Sequence, residues 1–77
     1  MTFRAGDPIT CTGGHPHGQF LRDGRAGVPI IGEDFSITSG KPDGSGYSCD
    51  LPGCGEPLAM QLEEGHWCVH TPQGWRV

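Results

Sequence analysis

The sequence has no long apolar run and no cluster of basic residues. No stretch approaches the ~20 apolar residues that a membrane span requires, so we predict no span. The five Lys and Arg residues are scattered along a chain of 77 residues with a formal net charge of −4. Because a nucleic-acid interface needs a positive face to neutralise phosphates, this charge distribution argues against nucleic acid as a partner.

Signals for export and for phosphate binding are also missing. Residues 1–7 contain no apolar segment of the kind that forms the centre of a secretory signal peptide. Gly13 and Gly14 are not followed by the Lys and Ser/Thr of a phosphate-binding loop. We therefore expect a cytoplasmic protein, and in that reducing environment cysteines bind metal more often than they form disulfides.

Apolar residues are scarce, at 34% of the chain. Gly supplies 14 residues and Pro supplies 7, a proportion close to that of low-complexity chains. Two Trp, three Phe and one Tyr are nevertheless spread along the sequence, which favours a folded protein. We predict a single domain over residues 1–77, whose small core needs a further link such as a metal ion, a disulfide or an oligomer interface.

No segment has the apolar periodicity of a helix of ten or more residues. We predict a small, turn-rich β fold with little or no helix, with short strands at residues 19–22 and 34–38. The Gly- and Ser-rich segment 39–47 is predicted to be a flexible loop. Strands at 66–71 and 75–77, preceded by residues 58–62, predict a C-terminal three-strand meander, although 58–62 also fits one helical turn.

The middle strand of this meander alternates along its length. Its pattern predicts that Trp67 and Val69 are buried and that His66 and His70, which share the opposite face with Cys68, are more exposed. Two side chains of that second face could instead chelate an ion, or supply a fourth ligand to another site. No orienting group or oxyanion donor is visible beside Cys68, so we predict no nucleophilic catalysis there.

A short motif occurs twice. Residues 4–9 (RAGDPI) recur at 25–30 (RAGVPI), and a looser copy lies at 55–58. Glycine permits a turn, the residue before proline is extended, and the proline can begin a strand. We expect each copy to be a turn leading into a strand, although chance similarity in a Gly- and Pro-rich chain is an equal alternative.

Cysteine and histidine form two candidate half-sites. Cys11 and His15 make the first, with His17 as a competing ligand, and Cys49 and Cys54 make the second. Zinc prefers four such donors in a tetrahedron, and the glycines between them let the backbone fold around an ion. We therefore predict one zinc ion bound by Cys11, His15, Cys49 and Cys54.

Other interpretations of these residues remain open. His17 and Cys68 are less favoured ligands of the same ion. Cys49 and Cys54 could form a small disulfide loop, or the cysteines could be unlinked core residues. Iron bound by four thiolates would require Cys68 to join the other three cysteines, and the colour of the protein would distinguish iron from zinc.

Residues 11–15 and 49–58, above all the stretch from Cys54 to Leu58 (CGEPL), resemble zinc-ribbon (rubredoxin-like) domains. That resemblance implies two ligand-bearing turns, each at the tip of a β-hairpin, that clamp one zinc ion. Two departures are present: four residues rather than two separate Cys49 from Cys54, and His15 stands where a cysteine is usual. We accordingly expect a small zinc-stabilised structural or protein-interaction module with an unidentified protein partner and no catalysis.

The segment from Gly6 to Cys11 (GDPITC), followed by Gly13 and Gly14, resembles the opening of PAAR repeats. This second resemblance covers about ten residues. It implies a metal-bound spike-tip protein of a secretion or phage-tail apparatus, and we keep it as the alternative function.

Overall fold

The structure is a computed structural model that describes residues 3–77. Within this range the chain forms short antiparallel strands and two isolated 3₁₀ turns, with no α-helix, so the predicted small, turn-rich β fold is confirmed. The strands are β1 (Pro8–Thr10), β2 (Pro16–Phe20), β3 (Ile30–Ile31), β4 (Phe35–Ile37), β5 (Lys41–Asp43), β6 (Gly46–Ser48), β7 (Pro57–Gln61), β8 (His66–Thr71) and β9 (Gly74–Arg76). The 3₁₀ turns are Gly32–Asp34 and Glu63–Gly65.

The strands form two sheets. The first has the order β1-β2-β4, and the second has the order β3-β8-β7-β6-β5 with β9 also paired to β8. Strand β8 is central, because β7 pairs with one of its edges while β3 and β9 pair with successive parts of the other. Strands β7, β8 and β9 are joined in sequence and are the predicted C-terminal meander, so the ambiguous segment 58–62 is largely strand.

The segment 39–47 was predicted to be a loop, and this prediction was wrong for most of its length. It contains β5, a two-residue turn at Gly44 and Ser45, and the first residues of β6. Gly44 has a φ of 61°, which a tight hairpin turn requires and glycine adopts without strain. Pro42 is tolerated in β5 because this strand lies at the edge of its sheet.

The core lies between the two sheets. Its largest fully buried apolar side chains are Phe20, Ile9, Ile30, Leu58 and Val69. The Phe3 ring stacks on Phe20 with their centroids 3.9 Å apart. The small core of aliphatic and aromatic side chains therefore receives residues from both sheets.

The predicted faces of β8 are only partly correct. Val69 is fully buried, but Trp67 is half-buried and packs edge-on against Phe35. Residues on the other face are also covered: Cys68 is buried, and His70 is half-buried. His70 reaches the Thr10 carbonyl of β1, so the second face of β8 is partly covered and the simple alternation of buried and exposed positions is lost.

The two copies of the repeated motif have the same structure. In residues 4–7 and 25–28 the first carbonyl accepts a hydrogen bond from the fourth N–H, at 3.0 and 3.2 Å. The glycine in the third position of each turn has a positive φ, of 92° and 84°. Each turn leads into a strand, as the motif predicted, and each strand buries its isoleucine, Ile9 or Ile30.

No helix of the described residues is long and apolar enough to cross a membrane.

Candidate metal centre

The predicted ligands lie in two connections between paired strands. Cys11 directly follows β1 and His15 directly precedes β2, so both belong to the β1–β2 connection of the first sheet. Cys49 directly follows β6, and Cys54 lies in the same connection to β7 in the second sheet. The two half-sites therefore come from different sheets and meet where the sheets approach each other.

A tight turn shapes each half-site. The Gly14 N–H donates to the Cys11 carbonyl over 2.9 Å, and Gly14 itself has a φ of 87°. In the second half-site the Cys54 N–H donates to the Leu51 carbonyl over 3.1 Å, and Gly53 has a φ of 82°. Positive φ values favour glycine, so the glycines between the ligands let each backbone segment reverse and present two donors on one side.

The four donor atoms form a compact cluster. The His15 Nδ1 atom lies 3.4 Å from Cys11 Sγ, 3.5 Å from Cys54 Sγ and 3.8 Å from Cys49 Sγ. The Cys11 and Cys54 Sγ atoms are 3.8 Å apart. Tetrahedral zinc, with Zn–S near 2.3 Å and Zn–N near 2.0 Å, has S–S edges of about 3.8 Å and N–S edges of about 3.5 Å. These four distances therefore match the edges of such a tetrahedron, and all four donor atoms lie within 4.8 Å of one another.

The cluster is largely enclosed. Cys11 is 0% and Cys49 2% exposed, whereas Cys54 and His15 are half-buried. The backbone of Gly13 covers the cluster, since a Cβ atom at that position would lie 3.3 Å from Cys54 Sγ and 3.5 Å from Cys11 Sγ. Gly13 is thus required for space rather than for an unusual backbone conformation.

The pKa values of the Cys11 and Cys49 thiols are shifted in opposite directions. Burial raises the pKa of Cys11, but N–H groups of His15 and Gly13 that donate to its sulfur outweigh burial and hold the pKa at about 6. Burial, together with the neighbouring sulfurs, raises the pKa of Cys49 to about 11. One thiolate forms readily and further negative charge is resisted, so the cluster favours a divalent cation, which binds thiolates and displaces their protons.

Three hydrogen bonds hold the two connections in place, two between the connections and one within the second. The Thr12 N–H donates to the Pro57 carbonyl over 3.1 Å, and the Cys49 N–H donates to the Glu56 carbonyl over 2.7 Å. The Thr12 hydroxyl also donates to the Glu56 carboxylate over 2.8 Å. Sequence analysis missed Thr12 and Glu56, because nothing local indicates that residues 44 positions apart are paired.

His70 contributes from β8. Its Nδ1–H donates to the carbonyl of Thr10 over 2.9 Å, and Thr10 immediately precedes Cys11. The His70 ring also meets Trp75 edge-on, at a centroid distance of 5.0 Å. His70 therefore fixes the backbone that carries the first ligand, a role distinct from the chelation considered for its strand.

The two less favoured ligands do not join the four-donor cluster. His17 is buried, and its Nδ1–H donates to the Ser39 carbonyl over 2.9 Å. It belongs to a second group, with Cys49 and Asp50, that shares Cys49 with the four-donor cluster, and its Nε2 has no hydrogen-bond partner among residues 3–77. Cys68 lies outside both groups, and burial raises the pKa of its thiol. All four cysteines are free thiols in the structure, including the Cys49 and Cys54 considered as a disulfide.

No protein-family model, curated protein or solved structure matches this chain. The functional interpretation therefore depends on the chemistry of the site itself.

Proposed function

We propose that this protein is a small zinc-stabilised module with a structural or protein-interaction role and no catalytic activity. In this proposal Cys11, His15, Cys49 and Cys54 bind one zinc ion. The observation that carries it is the spacing of the four donor atoms, 3.4 to 3.8 Å over the measured edges. Three thiolates and one imidazole suit zinc, whereas hard cations such as Mg²⁺ and Ca²⁺ prefer oxygen ligands.

The proposed role is structural because the ligand set is complete. Catalytic zinc sites keep one position for water or substrate, whereas four protein ligands close the tetrahedron. The ion would join the β1–β2 connection to the β6–β7 connection and so link the two sheets. Such a link suits a domain with a small core. We place the protein in the cytoplasm, where reducing conditions keep thiols available for metal.

Zinc content and coordination test this proposal directly. Protein purified without added metal should contain about one zinc per chain by elemental analysis. Replacing zinc by Co²⁺ should give the visible absorption of a tetrahedral, thiolate-bound ion. Cys49→Ser should lose that spectrum, and Cys68→Ser, which lies outside the cluster, should keep it. Folded protein with far less than one metal per chain, or a red iron-containing protein, would contradict the proposal.

The PAAR-like spike tip is the second candidate, supported by the repeated motif. Residues 4–9 and 25–30 form matching turns that lead into strands with buried isoleucines, and the first copy continues into Cys11 of the metal cluster. If this alternative is correct, mass spectrometry should detect the chain in isolated secretion or phage-tail particles. Recovery only outside such particles would favour the interaction module.

A further inference from the structure

We propose that Cys54 is an oxidation site, at which a hydroperoxide starts formation of a Cys11–Cys54 disulfide and thereby releases the metal. This inference rests on the proposed zinc site and adds regulation to it. It depends on two features of the cluster: the unequal exposure of its cysteine residues and the short distance between two of the sulfur atoms.

Exposure selects Cys54 for oxidation. Cys11 and Cys49 are 0% and 2% exposed, whereas Cys54 is half-buried. The residues on either side of Cys54, from 50 to 53 and from 55 to 57, are all exposed. Of the three cysteines, Cys54 is therefore the one that solvent reaches most readily, and access is one of the factors that decides which cysteine is oxidised.

Cys11 lies within reach of Cys54 as the partner. Its Sγ lies 3.8 Å from Cys54 Sγ, compared with about 2.05 Å in a disulfide, so the two atoms must approach by less than 2 Å. The two connections contain glycines with positive φ, Gly14 in the first and Gly53 and Gly55 in the second. Because the backbone of glycine is conformationally permissive, the connections can make the small shift.

The reaction balances with the peroxide as the only oxidant. The Cys54 thiolate attacks one peroxide oxygen, the O–O bond breaks, and sulfenic acid and hydroxide form. The Cys11 thiolate then attacks the Cys54 sulfur, an S–S bond forms, and a second hydroxide leaves. Two thiolates lose two electrons in total, hydrogen peroxide gains them, and the zinc ion does not change its oxidation state.

Metal release follows from the loss of ligands. The disulfide withdraws two thiolates and leaves only His15 and Cys49 as ligands, and two donors do not complete a tetrahedral zinc site. The disulfide joins the same two connections that the ion joined, across 43 residues of sequence. The oxidised protein would therefore exchange a metal link between the sheets for a covalent one.

Stoichiometric oxidation of the zinc-loaded full chain tests the proposal. Zinc is measured before treatment by elemental analysis, and hydrogen peroxide is then added in the presence of a chromogenic chelator. We expect release of about one zinc per chain, loss of two free thiols and a Cys11–Cys54 cross-link in non-reducing peptide maps. Dithiothreitol and added zinc should restore the metal-bound form.

Variants separate the possible outcomes. Cys68→Ser should release zinc like the unmodified protein, because Cys68 lies outside the cluster. In the unmodified zinc-loaded protein, peptide maps after substoichiometric peroxide should place the first oxidised sulfur at Cys54, which tests the site without a variant that binds metal poorly. A Cys49–Cys54 cross-link, first oxidation at Cys68, or peroxide treatment that leaves zinc bound would overturn the inference. Absence of zinc before treatment would instead overturn the proposed function.

Discussion

Gly13 shows how one missing side chain shapes the cluster. We predict that Gly13→Ala weakens zinc binding about fivefold or more, corresponding to about 1 kcal/mol, because the new Cβ would lie 3.3 Å from Cys54 Sγ. Competition with a fluorescent zinc chelator would measure the change. Gly32→Ala is the matched control, since its Cβ would make only an ordinary contact of 3.5 Å with Trp67. Equal zinc affinities of the two variants would contradict this account of Gly13.

His70 should act on stability through the backbone of Thr10. We expect His70→Phe to keep an aromatic ring beside Trp75 but to leave the Thr10 carbonyl without its donor, which costs about 1–3 kcal/mol. Urea unfolding of the zinc-loaded protein would measure this loss. His66→Phe provides the control, because His66 is also half-buried on β8. A similar loss in both variants would assign the effect to the strand rather than to the hydrogen bond.

The buried Cys68 thiol should lower the free energy of unfolding at alkaline pH. Burial raises the pKa of Cys68 in the folded state, so folding favours its neutral thiol. This contribution is complete below the pKa of the unfolded chain and is lost as pH rises through the folded value. Between about pH 8 and about pH 10, the free energy of unfolding should therefore fall more for the zinc-loaded native protein than for Cys68→Ala. If urea titrations give the native protein and Cys68→Ala the same change in free energy of unfolding with pH, this thiol does not contribute.

At the scale of the structural elements, the two repeated turns should respond alike to the same change. Gly6→Ala and Gly27→Ala each place a side chain at a positive φ, 92° and 84°, in open space. Each substitution should cost on the order of 1–2 kcal/mol from backbone strain alone. Thermal or urea unfolding of the two variants would test this. A loss in only one variant would show that the two copies are not equivalent in energy.

The sequence predicted those elements that depend on local chemistry. Strand β8 was predicted with its observed bounds, and the Gly-x-Pro motif correctly predicted two turns followed by strands. The segment 39–47 was assigned incorrectly because its Gly and Ser content is typical both of loops and of tight hairpins. Its pairing in β5 and β6 depends on β7, which provides the next strand of the sheet.

The candidate site was predictable in part for the same reason. Each half-site is a short turn with two donors, so spacing alone identified Cys11, His15, Cys49 and Cys54 as a group that the structure brings together. The hydrogen bonds that support the site join residues that are far apart in sequence. The bond between His70 and Thr10 joins residues 60 positions apart, and no pattern in the sequence indicates it. The partial burial of the second face of β8 was missed because the contact of His70 with Thr10 of β1 forms only in the tertiary structure.

At the scale of the whole molecule, metal removal should have a large effect. Structural zinc sites supply about 10 kcal/mol or more of apparent binding free energy at neutral pH, more than a small core provides. We expect chelation to unfold the region from Cys11 to Leu58, while the β7–β8–β9 meander retains some structure. Amide NMR spectra with and without chelator would measure this. Cys54→Ser should match the chelated protein and Cys68→Ser should be mild, whereas an unchanged, dispersed spectrum after metal removal would contradict a stabilising ion.

The separation of the two ligand turns along the chain has a consequence for the rate of folding. Each turn can form early from nearby residues, but a cluster that joins positions 43 residues apart must wait for a slow, improbable encounter. An ion already bound to one turn would bind the ligands of the other turn as soon as the two turns meet. A larger share of these encounters would then lead to the folded cluster. Refolding should therefore accelerate with zinc concentration, so that in a cell the supply of metal sets how long the newly made chain remains open to proteases and to aggregation.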